Sequence, residues 1–131
     1  MILGIGTDIV EIKRIKYAIG RWGDRFVKRI FSQRESEYCY SKSDPSTHFA
    51  ARFAAKESLI KAVGNSSIGT GAAYTLKNIE VCNSPSGAPA IVLKPGIIDQ
   101  DKYDGSLRIH LTLTHEREYA CAFVVLETNT P

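Results

Sequence analysis

The hydrophobic pattern changes period as the chain proceeds. From Met1 to Ile12 it reads as a strand, with Ile5, Ile9 and Val10 apolar and Gly4 and Gly6 permitting close backbone approach. Asp8 is the odd residue, a lone carboxylate in an apolar segment. Lys13–Gly20 predicts a short helix, with Ile12, Ile15 and Ile19 inward and Lys13, Arg14 and Lys16 outward. Trp22 and Gly23 end it, and Asp24–Phe31 forms a second short helix. Ser32-Gln33-Arg34-Glu35 is a capping box that opens a third, running to about Tyr40.

After a loop at Ser41–Asp44 comes the longest periodic stretch, Phe49–Gly64. Asp44 is a good N-cap, and Pro45 is tolerated in a first turn, where its missing N–H would be unpaired anyway. Gly64 suits a left-handed stop. At about 100° per residue, Phe49, Phe53 and Ile60 share one stripe. Glu57 and Lys61 flank that stripe on one side, Arg52 and Lys56 on the other, each pair four apart. Ala51, Ala55 and Ala62 form a small-residue face opposite, so the helix is apolar on two faces and expected to be buried along much of its length. Glu57 then sits at the core boundary, where a charge needs a partner.

Asn65–Tyr74 is rich in Gly, Ser and Thr and reads as a loop with free backbone N–H groups. Thr75–Cys82 and Ala88–Leu93 read as strands of a hairpin around the turn Asn83–Gly87. Pro95–Gly105 reads as a short helix. Leu107–Leu113 alternates cleanly, His115–Glu118 turns, Tyr119–Glu127 is a further strand, and residues 128–131 form a tail. Strand, helices, then antiparallel strands predict an α+β fold with the long helix packed on the sheet. No repeat or linker divides the chain, and 131 residues suit one domain, residues 1–131.

No apolar run approaches the ~18 residues of a membrane span, and no signal peptide is evident, which points to the cytoplasm and away from a membrane. Cys39, Cys82 and Cys121 are odd in number and widely spaced, making neither a zinc motif nor a disulfide framework. The net charge of +3 is unevenly spread: eight cations between Lys13 and Arg34 face Asp24 alone. That basic patch favours an acidic partner, either an acidic protein helix, a phosphate-rich ligand or nucleic acid. Few aromatic residues interleave with it, which weighs against nucleic acid.

Two stretches carry candidate chemistry. Gly4-Ile5-Gly6 lacks the third glycine of a dinucleotide fingerprint, which removes that reading. Asp8 alone would be a turn or cap residue, and Glu57 with Lys61 alone an ordinary helical ion pair worth a few tenths of a kcal/mol. The functional alternative for that pair is Glu57 binding a cation with Lys61 binding an anion beside it.

The stretches Ile5–Glu11 and Phe53–Gly64 resemble the two signature motifs of the holo-[acyl-carrier-protein] synthase family of 4′-phosphopantetheinyl transferases. Motif order, separation and chain length match, and Thr114-His115 followed by Tyr119–Ala122 looks like a third motif. The resemblance implies transfer of 4′-phosphopantetheine from coenzyme A to a serine of apo acyl carrier protein, with adenosine 3′,5′-bisphosphate leaving. It implies Mg²⁺ on Asp8 and Glu57, and Lys61 as a phosphate-neutralising catalytic residue. By the same analogy Arg52, Lys61, Gly64, Gly87, Pro89, Thr114 and His115 line the coenzyme A cleft, and Arg14, Arg21 and Arg25 meet the acidic carrier protein. It further implies a homotrimer with Asp8 of one subunit facing Glu57 of its neighbour.

Three positions depart from the family pattern: Ser58 where Ala is common, Glu116 where Thr follows the His, and Ser86 where Asn is frequent. A non-enzymatic basic module binding RNA or an acidic protein explains the charge patch but leaves Asp8 and Glu57 without a purpose. A metal-dependent phosphohydrolase would share the site and need no carrier protein.

Overall fold

The structure is a computed structural model that describes residues 1–64, 76–95, 98 and 105–129. Its elements follow the order β1 (Ile2–Glu11), α1 (Ile12–Trp22), α2 (Asp24–Ile30), α3 (Gln33–Tyr40), α4 (Pro45–Val63), β2 (Ile79–Asn83), β3 (Pro89–Leu93), β4 (Arg108–His115) and β5 (Tyr119–Glu127). β1, β5 and β4 form an antiparallel sheet in that order, and β2 pairs with β3 in a separate hairpin. This is the α+β fold expected, with α4 packed across β1 and β5.

That packing depends on glycine. A Cβ on Gly6 would lie 1.8 Å from the Ser58 carbonyl oxygen, and one on Gly4 would lie 1.8 Å from that of Ala62. The α4 backbone therefore rests directly on β1. Side chains alternate along a strand, so Asp8 shares the helix-facing side of β1 with Gly4, Gly6 and Val10. The register places Asp8 opposite Ala122, which itself lies opposite Leu113. Ala120, Ala122, Val124 and Leu126 of β5 bury the same side.

The core runs along α4 in two parts. Its first half packs Phe49, Ala50 and Ala51 against Ile12, Ile15 and the α2 residues Val27 and Ile30. Its second half packs Leu59 and Ala62 against Ile79, Ile98, Val124 and Leu126. Each large apolar side chain so buried contributes about 1.5–3 kcal/mol. α4 is buried on more sides than its stripe predicted: Arg52 and Lys56, expected to flank that stripe, are 3% and 0% exposed.

Several boundaries differ from expectation. α4 begins at Pro45, and Asp44 makes no side-chain bond to the helix backbone, accepting instead from Thr47 Oγ1 at 2.6 Å. The α3 capping box is present as read. Leu76–Asn78 is helical, so β2 starts at Ile79 rather than at residue 75. Thr128 is no part of a free tail, being 2% exposed with its N–H donating to the Met1 carbonyl at 2.9 Å. The loop read at Asn65–Tyr74 and most of the helix read at Pro95–Gly105 lie outside the described residues. No helix among the described residues is long and apolar enough to cross a membrane.

Candidate active site

Asp8 and Glu57 meet within one chain. Asp8 comes from β1 and Glu57 from α4, and both line a cleft of about 640 Å³ between β1, α1 and α4. One helical turn beyond Glu57, Lys61 Nζ donates to Asp8 Oδ1 at 3.1 Å and to the Thr7 carbonyl at 3.0 Å. Burial, then the Asp8 charge, pushes the Glu57 carboxyl above its usual range, while the Lys61 ammonium works the other way. The expectation that Asp8 faces Glu57 of a neighbouring subunit is thus corrected. Antiparallel pairing and the glycine contact bring both onto one side of the same β1–α4 layer.

Arg14 and Lys13 line the same cleft, and Ile15, Ala18, Phe26 and Phe53 make its apolar part. At its rim the exposed Trp22 and Tyr17 stand edge to face, ring centroids 6.2 Å apart. Arg21 and Arg25 are exposed on α1 and α2, so the basic patch borders the cleft.

A second group of site candidates gathers elsewhere on α4. Arg52 and Glu57, five residues apart, point about 140° away from each other around the helix. The Arg52 guanidinium lies 4.1 Å over the Tyr38 ring, and its Nη2 donates to Asn83 Oδ1 at 2.9 Å. Arg52 Nε is buried without a hydrogen-bond partner among the described residues. Asn83 Nδ2 donates to the Gly87 carbonyl at 3.0 Å, and Asn83 pairs with Pro89 across the hairpin. Gly87 has φ of +89°, a left-handed conformation that suits glycine at this turn. His48, one turn before Arg52, sits between Tyr38 and His115, with ring centroids 5.9 and 6.1 Å away. Burial, then the neighbouring Arg52, His115 and Lys42, depresses the His48 pKa.

The structure therefore joins Arg52, Gly87, Pro89 and His115 into one group. It leaves three nucleotide candidates outside that group, the first being Lys61, which bonds Asp8 instead. Thr114 lies on the opposite sheet face, paired with Cys121, because neighbouring strand residues alternate. Gly64 ends α4 near Lys61, about 18 Å along the helix from Arg52. Sequence reasoning missed Tyr38, His48 and Asn83. Only His48 carried a signal, its four-residue spacing from Arg52.

Each departure from the family pattern has a local partner. Ser58 Oγ contacts the Ala54 carbonyl at 2.7 Å and the Ala122 carbonyl at 3.2 Å, linking α4 to β5. Glu116 Oε1 accepts from the N–H groups of Glu118 and Tyr119 at 2.8 and 2.9 Å, closing the β4–β5 turn. Ser86 Oγ bonds Ser84 Oγ at 2.7 Å.

The sequence profile of the 4′-phosphopantetheinyl transferase superfamily matches residues 4–124. The chain is similar to the holo-[acyl-carrier-protein] synthase of Koribacter versatilis, 43% identical over 97% of this chain and 99% of that one. With the Syntrophus aciditrophicus enzyme of the same name it shares 40% identity over 97% of each chain. Among solved structures, the Neisseria meningitidis synthase superposes with a TM-score of 0.81 at 35% identity, covering 98% and 100% of the two chains. The Bacillus anthracis synthase, crystallised in complex with CoA (3′,5′-ADP), gives a TM-score of 0.77 at 34% identity, covering 98% and 99%. With its motifs, its fold and its relatives in agreement over nearly the whole length, the chain belongs to the holo-[acyl-carrier-protein] synthase family of the 4′-phosphopantetheinyl transferase superfamily.

Proposed function

We propose that the protein transfers 4′-phosphopantetheine from coenzyme A to a serine of apo acyl carrier protein, with Asp8 and Glu57 holding Mg²⁺. The observation that carries this reading is the meeting of Asp8 and Glu57 in one cleft lined by Lys13 and Arg14, with Lys61 bonded to Asp8. Among the described residues no cluster of three or more metal-ligating side chains occurs. Two carboxylates suit Mg²⁺, which commonly takes one or two carboxylates and completes its shell with substrate phosphates and water. Burial first and the Asp8 charge second raise the Glu57 pKa, and a divalent cation held by the two carboxylates would offset both costs. When bound, Mg²⁺ supplies charge neutralisation at the pyrophosphate.

The chain's own residues then divide the work. The carrier serine oxygen bonds to the phosphorus bearing pantetheine, and the bond from that phosphorus to the bridging oxygen breaks. Adenosine 3′,5′-bisphosphate leaves with that oxygen. Either a water held in the cleft or Glu57 itself would take the serine proton. Lys61, half exposed on a flexible stem, reaches the phosphate oxygens from the same helix face. Arg14 at the cleft, with Arg21 and Arg25 beyond it, meets the acidic carrier, whose apolar side chains would fit the part lined by Ile15, Phe26 and Phe53. Arg52 and His115, with Gly87 and Pro89, serve the nucleotide end of coenzyme A.

The two halves face different sides of α4, so one chain does not close a whole site. We take the protein to be a homotrimer in which the metal half of one subunit meets the nucleotide half of the next, a head-to-tail ring. Support comes from the sheet face turned away from α4. Ile5 and Ile9 are 59% and 64% exposed there, beside Phe123 at 41%, an apolar surface that asks for cover.

The deciding test is intact-mass analysis of an apo acyl carrier protein incubated with this protein, coenzyme A and Mg²⁺. One added phosphopantetheine is expected, and none with Asp8→Asn or Glu57→Gln. Failure with a range of carrier proteins would reject the reading.

A further inference from the structure

The Glu35–Lys56 ion pair stands outside the site just described. Both side chains are 0% exposed. Lys56 Nζ donates to Glu35 Oε1 at 2.7 Å, to the Leu76 carbonyl at 2.8 Å and to the Ile79 carbonyl at 2.6 Å, which uses all three ammonium protons. Glu35 Oε1 also accepts from the Ser32 N–H at 2.9 Å, and Oε2 from the Val81 N–H at 3.0 Å. One carboxylate and one ammonium thus tie together the start of α3, the middle of α4, the Leu76–Asn78 turn and β2. A buried ion pair is a poor device for stability alone, because well-packed apolar residues in its place are often as stable or more so. What it supplies is direction, since each of its bonds fixes a register.

The fixed elements lead to the nucleotide half of the site. On α4, Arg52 lies one turn before Lys56. On β2, the bonds to Ile79 and Val81 set the strand against α4, and two residues further on Asn83 accepts from Arg52 Nη2 and donates to the Gly87 carbonyl. We propose that Glu35 and Lys56 are positioning residues that hold β2 in register on α4, so that Asn83 and the Gly87 turn aim Arg52 at coenzyme A. The proposal rests on coenzyme A being the substrate, as read above.

The test separates positioning from stability. Lys56→Met alone strands a buried carboxylate and lowers Tm by about 10 °C or more, if it folds. The informative variant is Glu35→Leu with Lys56→Met, which removes both charges and is expected within about 5 °C of the wild-type Tm. In that double variant the KM for coenzyme A should rise roughly tenfold, with the KM for carrier protein unchanged within about twofold. Asn83→Ala, an exposed strand-end change that spares the core, should raise the coenzyme A KM to a similar extent and add little on top of the double variant. Wild-type coenzyme A KM in a folded double variant, or a parallel rise for both substrates, would overturn the proposal. So would an unchanged coenzyme A KM in Asn83→Ala, which decides the matter if the double variant does not fold. Wild-type transfer measured by mass tests the substrate assignment separately.

Discussion

Two lysines of α4, five residues apart, have opposite fates. Lys56 is fully buried, and desolvation lowers its pKa against the pull of Glu35. Lys61 stays half exposed and leans on Asp8. Nothing in their local sequence separates them, because helical periodicity assigns a face without saying how deeply that face is covered. Asp8 was legible for the opposite reason, since a carboxylate in an apolar strand is an anomaly in its own neighbourhood. Glu35 was legible only as a capping residue, as its second role depends on Lys56, 21 residues away. A pH test follows from Glu57, whose folded-state pKa is raised above 4.5 by burial first and Asp8 second. A raised carboxyl pKa favours the folded state at low pH and counts against it once pH climbs through the folded value. Glu57→Gln should therefore raise the Tm of the metal-free protein at pH 7. The gain should shrink as pH falls from the raised pKa towards the ordinary glutamate value. A Tm difference that is flat across that range would show that the Glu57 charge is not under strain. Cys39 gives a second expectation: burial pushes its thiol up to about 12, so it should resist thiol reagents until the protein unfolds, while Cys82 and Cys121 react first.

At the scale of elements, the helices were read best where an edge marker coincides with the period, as at Ser32 and at Gly64. Reading failed where a strand-like pattern begins inside another conformation. Leu76–Asn78 looked like the start of β2, yet Lys56 takes the Leu76 carbonyl before pairing begins at Ile79. Such a contact between distant segments leaves no trace in local alternation. The charge pattern of α1 was legible, because its buried positions Ile12, Ile15 and Ala18 leave Lys13, Arg14 and Lys16 to solvent. If α1 docks an acidic carrier, Arg14→Glu with Arg21→Glu should raise the KM for carrier protein by about tenfold or more and leave that for coenzyme A nearly unchanged. The wild-type enzyme should lose carrier affinity with added salt by the same route. Equal KM values for carrier in wild type and double variant would assign the patch another role.

At the scale of the molecule, the division of the site across α4 makes a genetic-style test possible. Asp8→Ala and Glu57→Ala subunits, refolded together, should recover no activity, because one chain supplies both carboxylates to its cleft. Glu57→Ala mixed with a crippled nucleotide half, Arg52→Ala with His115→Ala, should recover about a quarter of wild-type activity if neighbouring subunits complete each other in a random ring. If the proposed ring forms through the uncovered sheet face, Ile9→Glu with Phe123→Glu should shift sedimentation from trimer to monomer and abolish that recovery. The bare sheet face was invisible to periodicity, which marks Ile5 and Ile9 as apolar strand residues without saying which side will be left uncovered. The contact of α4 with Gly4 and Gly6 reaches further than the architecture. Every residue other than glycine carries a Cβ, and at both positions that atom would meet backbone, which no rotamer can move aside. In a library saturated at every position and selected for activity, positions 4 and 6 should return glycine alone, while Gly20, with open space around it, accepts most replacements. Backbone packing alone thus narrows the chain's freedom to diverge at these two positions.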